Sequence, residues 1–128
     1  MDLNKLSDWT FGATIPAKDL ARARKFYEEV LGLEVFREDP AGITYQAGDS
    51  ALFLYQTEFA GTAQHTLGGF RVSDIEATVA DLRARGVTFE DYDMPGLKTV
   101  NGIAELGGEK GAWFKDPDGN ILSLSQVT

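Results

Sequence analysis

The chain contains no cysteine and a single histidine, His65. The first absence removes disulfides, thiolate nucleophiles and sulfur-rich metal sites together. The second leaves one imidazole to carry any acid–base or ligand role that needs a group titrating near neutral pH. No stretch reaches the roughly 18 apolar residues that crossing a bilayer requires, and the segment Met1 to Trp9 lacks the basic and apolar regions of a signal peptide. A cytoplasmic protein is therefore expected. Positive charge is also scarce: 12 Lys and Arg stand against 20 Asp and Glu, a net charge of −8, with no basic cluster to offset it. A nucleic-acid backbone or an anionic membrane surface would be repelled, which excludes both as expected partners. Neither a P-loop nor a dinucleotide-type glycine loop is present, and no nucleophile stands at a spacing that implies a partnering base.

What is present is a sequence that says nearly the same thing twice. Gly48 to Gln56 falls on Asp118 to Gln126 when slid by 118 − 48 = 70 positions, with the leucines and the glutamine in register. Upstream, Lys18 to Leu33 has a partner in Ser73 to Val87. The offset is 74 − 19 = 55 at the aspartates and 86 − 32 = 54 at the glycines, so the second copy has lost one residue within the segment. A unit of about sixty residues is too short for a comfortable core of its own, so two copies paired in one domain bury both. The expected organisation is a single domain over 1–128, made of modules at about 9–60 and 64–128.

Each copy reads as strand, helix and three strands. Asp19 is an N-cap ahead of Leu20, Ala23, Tyr27, Val30 and Leu31 at helical spacing, and Gly32 is the stop. In the second copy Ser73 and Glu76 read as a capping box before Ile75, Val79 and Leu82. Phe11, Ala13 and Ile15, and later Phe70 and Val72, alternate as first strands. Expected strands after the helices are 33–37, 43–47 and 51–56, then 87–92, 112–115 and 121–126. Asp116-Pro-Asp-Gly119 is a turn signal, read as a hairpin connection and no more. The fold class is α+β: tandem βαβββ modules whose curved mixed sheets surround a cleft. Leu52, Leu54, Leu122 and Leu124 pack beneath the helices, which turns Ala51, Phe53, Tyr55, Ile121, Ser123 and Ser125 to the cleft.

These residues resemble the vicinal oxygen chelate superfamily of glyoxalases, bleomycin-resistance proteins and extradiol dioxygenases. The likeness is carried by Asp19-Leu20, Phe26-Tyr27 with Leu31-Gly32-Leu33, Val72 to Ile75 with Arg85-Gly86-Val87, and Phe114 to Asn120. The resemblance implies the same fold, a homodimer, and, in metal-bearing members, ligands at four positions that fall here on Gly12, Leu67, Phe53 and Ser123. None of these is a competent ligand for a divalent ion, so no metal and no cofactor are expected.

The residues left to build a ligand site are Phe53, Tyr55, His65, Tyr92, Trp113, Ser123 and Ser125, an aromatic and mildly polar wall suited to a small apolar or aromatic organic molecule. The expected function is metal-free binding, resembling the bleomycin-resistance branch. The alternative is a lyase, isomerase or dioxygenase with a displaced metal, or a catalyst using His65 as acid or base, with Tyr55 and Tyr92 as weaker candidates. Residues 93–103 have no counterpart in the first copy and are read as a lid, a surface excursion or a dimer contact. Glu90, Asp91 and Asp93 are read as a solvated acidic edge, and Gly68-Gly69 as a point of close approach between sheets.

Overall fold

The computed structural model describes residues 5–128; the part of the leader reading that rests on Met1 to Asn4 lies outside them. The first copy forms β1 (Ala13–Ala17), α1 (Leu20–Lys25), which runs on into a π-helical turn (Phe26–Val30), then β2 (Glu34–Asp39), β3 (Gly42–Ala47) and β4 (Ser50–Gln56). The second forms β5 (Thr66–Arg71), α2 (Ile75–Ala84), β6 (Asp93–Met94), β7 (Leu97–Val100), β8 (Ile103–Glu105), β9 (Glu109–Lys115) and β10 (Ile121–Val127). The strand orders are β1-β4-β3-β2 and β5-β10-β9-β8-β7-β6. In each sheet the first strand runs parallel to the last, and the neighbouring hairpin pairs antiparallel.

Each helix is opened by an aspartate. Asp19 accepts from the Arg22 backbone N–H at 3.2 Å, and Asp74 from that of Ala77 at 3.0 Å, satisfying a donor that has no partner inside the helix. The second cap is thus Asp74 rather than Ser73. Glu76 does not complete a capping box, because its carboxylate takes Lys110 Nζ at 2.7 Å.

The one-residue slip between the copies has a structural cause. The hydrogen bond closing the helical segment runs from Leu33 N–H to Tyr27 carbonyl in the first copy and from Val87 N–H to Leu82 carbonyl in the second. These spans are 33 − 27 = 6 and 87 − 82 = 5 residues. The first copy houses its extra residue as a π turn, sealed by Leu31 N–H to Phe26 carbonyl at 3.0 Å.

Leu52, Leu54, Leu122 and Leu124 are all buried, in one cluster with Ile15, Tyr27, Tyr45, Ile75, Val79 and Phe114, so both copies feed a common core. Each fully buried leucine contributes about 1.5–3 kcal/mol relative to exposure. Arg85 ties the two helices, its Nη1 donating to the Val30 carbonyl at 3.0 Å. Of the Gly68-Gly69 pair, Gly68 is not required for close approach, since a Cβ there would lie at ordinary contact distance, 3.7 Å, from that of Ala13, whereas a Cβ at Gly69 would collide with the Ser123 side chain.

Three expectations need correction. Phe11 lies before β1 and is exposed, so the strand begins at Ala13. Residues 87–92 do not form a strand; Phe89 makes an isolated bridge to Phe114, and Glu90 N–H donates to the Trp113 carbonyl at 2.8 Å. The reason is competition for one edge, because β8 takes the other part of β9, pairing at Lys110 and Gly111. Residues 93–103 are accordingly no free lid: they supply β6, β7 and the start of β8, extending the sheet to six strands.

Candidate functional site

Strand alternation sends the residues between the buried leucines to the opposite faces of the sheets. On the first sheet, Thr14, Phe53 and Thr44 stand side by side across β1, β4 and β3. The Phe53 and Tyr55 rings stack, centroids 6.2 Å apart and planes 8° from parallel. Gly42 makes room for this pair, since a Cβ there would come within 2.8 Å of Phe53 Cζ. On the second sheet, Ser123 lies between Gly69 on β5 and Trp113 on β9, and Ser125 lies opposite Gly111. The Trp113 indole spreads over Gly111, where an added Cβ would sit 3.0 Å from Cη2.

Tyr92 meets Trp113 edge-on, centroids 5.6 Å apart at 79°. It is held there by the residues that have no counterpart in the first copy. Buried Thr99 accepts from Tyr92 N–H through Oγ1 at 2.9 Å, its own N–H donates to the Tyr92 carbonyl at 2.9 Å, and its hydroxyl reaches Asp91 Oδ1 at 3.0 Å. Asp91 also accepts from Gly102 N–H at 3.2 Å, and Glu90 pairs with Lys115 at 3.3 Å. Asp91 and Glu90 thus make structural contacts while the edge stays open to solvent, with Asp91 and Asp93 exposed. Thr99 carried no legible signal, because its partners lie in a segment whose path the repeat does not predict.

The sequence-predicted residues therefore fall into three groups. Phe53 with Tyr55 and Tyr92 with Trp113 form two aromatic pairs, with Ser123 next to the second. The pairs make no ring contact with each other among the described residues. His65 stands apart: it precedes β5, is exposed, and its Nδ1 lies 3.1 Å from the Thr66 carbonyl.

A family model described as Glyoxalase/Bleomycin resistance protein/Dioxygenase superfamily matches residues 10–124. The chain belongs to that superfamily. Solved structures agree on the fold: UcmS2 (24% identity, TM-score 0.73, covering 91% of this chain and 96% of that one) and TnmS3, an antibiotic binding protein from Streptomyces sp. CB03234 (23%, 0.68, 94% and 96%). A glyoxalase/bleomycin resistance protein/dioxygenase from Alicyclobacillus acidocaldarius is similar at 22% identity and a TM-score of 0.66, covering 94% of this chain and 92% of that one.

The residues do not fit the metal that some members of this superfamily carry. Gly12 stands before β1, where an added Cβ would press 2.9 Å from the Ala51 carbonyl oxygen. Leu67 falls at the register shift between Thr66, opposite Ile121, and Gly68, opposite Leu122. The first-strand neighbours of Phe53 and Ser123 are Thr14 and Gly69. A phenyl ring, hydroxyls and glycine supply neither imidazole nor carboxylate. Among the described residues, no group of three or more His, Cys, Asp or Glu side chains could hold a metal ion.

Proposed function

We propose that this protein binds a small apolar or aromatic organic molecule on the inner faces of its sheets, without a metal at the superfamily's usual position. The observation that carries the reading is the pair of aromatic contacts, Phe53–Tyr55 and Tyr92–Trp113, half-buried on faces whose ligand positions hold neither imidazole nor carboxylate. Aromatic rings left half open offer stacking surface, and the neighbouring Ser123 and Ser125 hydroxyls offer orientation. The likeness to TnmS3, an antibiotic binding protein, points the same way. The net charge of −8 favours a cationic ligand over an anionic one. His65, exposed and outside the strands, gives the catalytic alternative no support.

A homodimer is part of this reading. Leu6, Phe11, Phe36 and Phe59 are exposed at 82%, 89%, 72% and 69%, apolar side chains that a second copy would cover. Light scattering at several concentrations tests it, and a monomer throughout refutes it.

The binding test is a fluorescence titration with ethidium, a planar aromatic cation, beside a thermal-shift series in which stabilisation grows as RT ln(1 + [L]/Kd). Saturable binding by EDTA-dialysed protein supports the proposal. Failure of ethidium and of a panel of neutral aromatic compounds to bind refutes it.

A further inference from the structure

The seam between β1 and β5 has two ends related by the repeat, and they are finished differently. Where β1 runs out, the β9–β10 connection fills the space. Asp116 and Asn120 are 6% and 1% exposed. Asp116 accepts from the Tyr27 hydroxyl at 2.7 Å, Asn120 Nδ2 donates to the Pro16 carbonyl at 2.8 Å, and Asp118 Oδ1 receives Lys18 N–H at 3.1 Å.

At the end where β1 begins, the corresponding connection is β3–β4, and the clasp's side-chain hydrogen bonds have no counterpart there among the described residues. The second copy has 120 − 115 = 5 residues between the paired Lys115 and Ile121, whereas the first has 50 − 46 = 4 between the paired Gln46 and Ala51. In phase with Tyr27 is Leu82 (27 + 55), which has no hydroxyl; in phase with Asp118 is Gly48 (118 − 70), which has no side chain. In phase with Asn120 is Ser50, whose hydroxyl turns away to the Phe11 carbonyl at 2.8 Å. The space that the clasp fills at one end is left at the other as a cavity of about 610 Å³, walled by Ala13, Ile15, Leu33, Leu52, Phe70 and Leu122.

We propose that this cavity is a second ligand site, separate from the aromatic inner face, for a small zwitterion with an apolar body. The volume falls within the range of ligand pockets, and the lining mixes these apolar side chains with the polar Gln46 and Ser50. Two exposed residues of opposite sign, Glu34 and Arg71, contribute to its rim, and neither has an ion pair or side-chain hydrogen bond among the described residues. A ligand bearing one ammonium and one carboxylate complements both, whereas a ligand of single charge leaves one rim group unmatched or faces a like charge.

The test is a ¹H–¹⁵N correlation titration of the whole chain with L-phenylalanine, phenylacetate and phenethylamine. L-Phenylalanine is expected to shift the amides of Leu33, Gly48 and Phe70 saturably, and each singly charged analogue to bind about fivefold more weakly, the size of one partly exposed ion pair. Arg71→Ala and Glu34→Ala, both at exposed positions, should weaken L-phenylalanine by a similar factor and leave phenethylamine and phenylacetate, respectively, unchanged. Ala13→Leu, which grows into the cavity, should abolish binding of all three. No saturable shift at those amides, or equal affinity for the three compounds, overturns the proposal. Binding of ethidium to the inner face is read separately at Phe53 and Trp113, so the two sites fail independently.

Discussion

The Tyr27 hydroxyl donates to Asp116 Oδ2 at 2.7 Å, joining residues 116 − 27 = 89 positions apart and fastening the helical segment of the first copy to the β9–β10 connection of the second. Asp116 accepts from Asn120 Nδ2 at 2.8 Å and from the backbone N–H groups of Asp118 and Asn120, both at 2.9 Å. Tyr27→Phe removes one donor from a carboxylate that keeps three, and should cost about 2 kcal/mol. Asp116→Ala strands all four donors and should cost more, about 3 kcal/mol or above. Urea unfolding monitored by circular dichroism measures both.

The same contact fixes an alkaline limit. Burial, then the charge of Asp116 and its hydrogen bond, push the Tyr27 phenol well above its usual value of 10.0, and burial with the Glu28 hydrogen bond raises Tyr45 likewise. A folded-state value above the unfolded one means the unfolded chain loses the proton first. Stability from these groups is therefore full below about pH 10 and declines as the pH rises beyond it. Unfolding free energy measured from pH 8 to 11 should fall at the top of that range in the wild type and fall less steeply in Tyr27→Phe. Parallel slopes contradict this origin.

Thr99→Val keeps the shape and deletes the hydroxyl that links Asp91 to the Tyr92 N–H. The expected cost is about 1–3 kcal/mol, from leaving those groups unpaired. In a Trp9→Phe background, where Trp113 is the remaining indole, the emission spectrum should change because Tyr92 loosens from its edge. Unchanged emission contradicts the positioning role.

What the sequence reveals and what it hides divide along the range of the interactions. The leucine rows at 52, 54, 122 and 124, the cap at Asp19 and the one-residue slip are local or repeated, so spacing exposes them, and the slip proves to be a π turn. The turn at Asp116 to Asn120 also reads locally, but its larger role as a clasp depends on Tyr27, Pro16 and Lys18, which no spacing rule links to it. The expected strand at 87–92 fails because β8, built from residues outside the repeat, competes for the same edge of β9. On the candidate face, alternation indicates which way Phe53 and Ser123 point, while Tyr92 depends on Thr99 and could not be placed from periodicity.

Phe53 is half-buried, so Phe53→Ala should lower stability only modestly, by about 1 kcal/mol. Its stack with Tyr55 is the proposed contact surface, and the variant should bind ethidium about tenfold more weakly by titration. Retained affinity would remove Phe53 from the site.

The most direct test of the account is a ¹H–¹⁵N correlation titration of EDTA-dialysed protein with ethidium. Saturable shifts centred on Phe53, Tyr55, Tyr92, Trp113, Ser123 and Ser125, unchanged when zinc or manganese is added, are the predicted result. Shifts that bypass these residues, or that develop there only once a metal is supplied, contradict it.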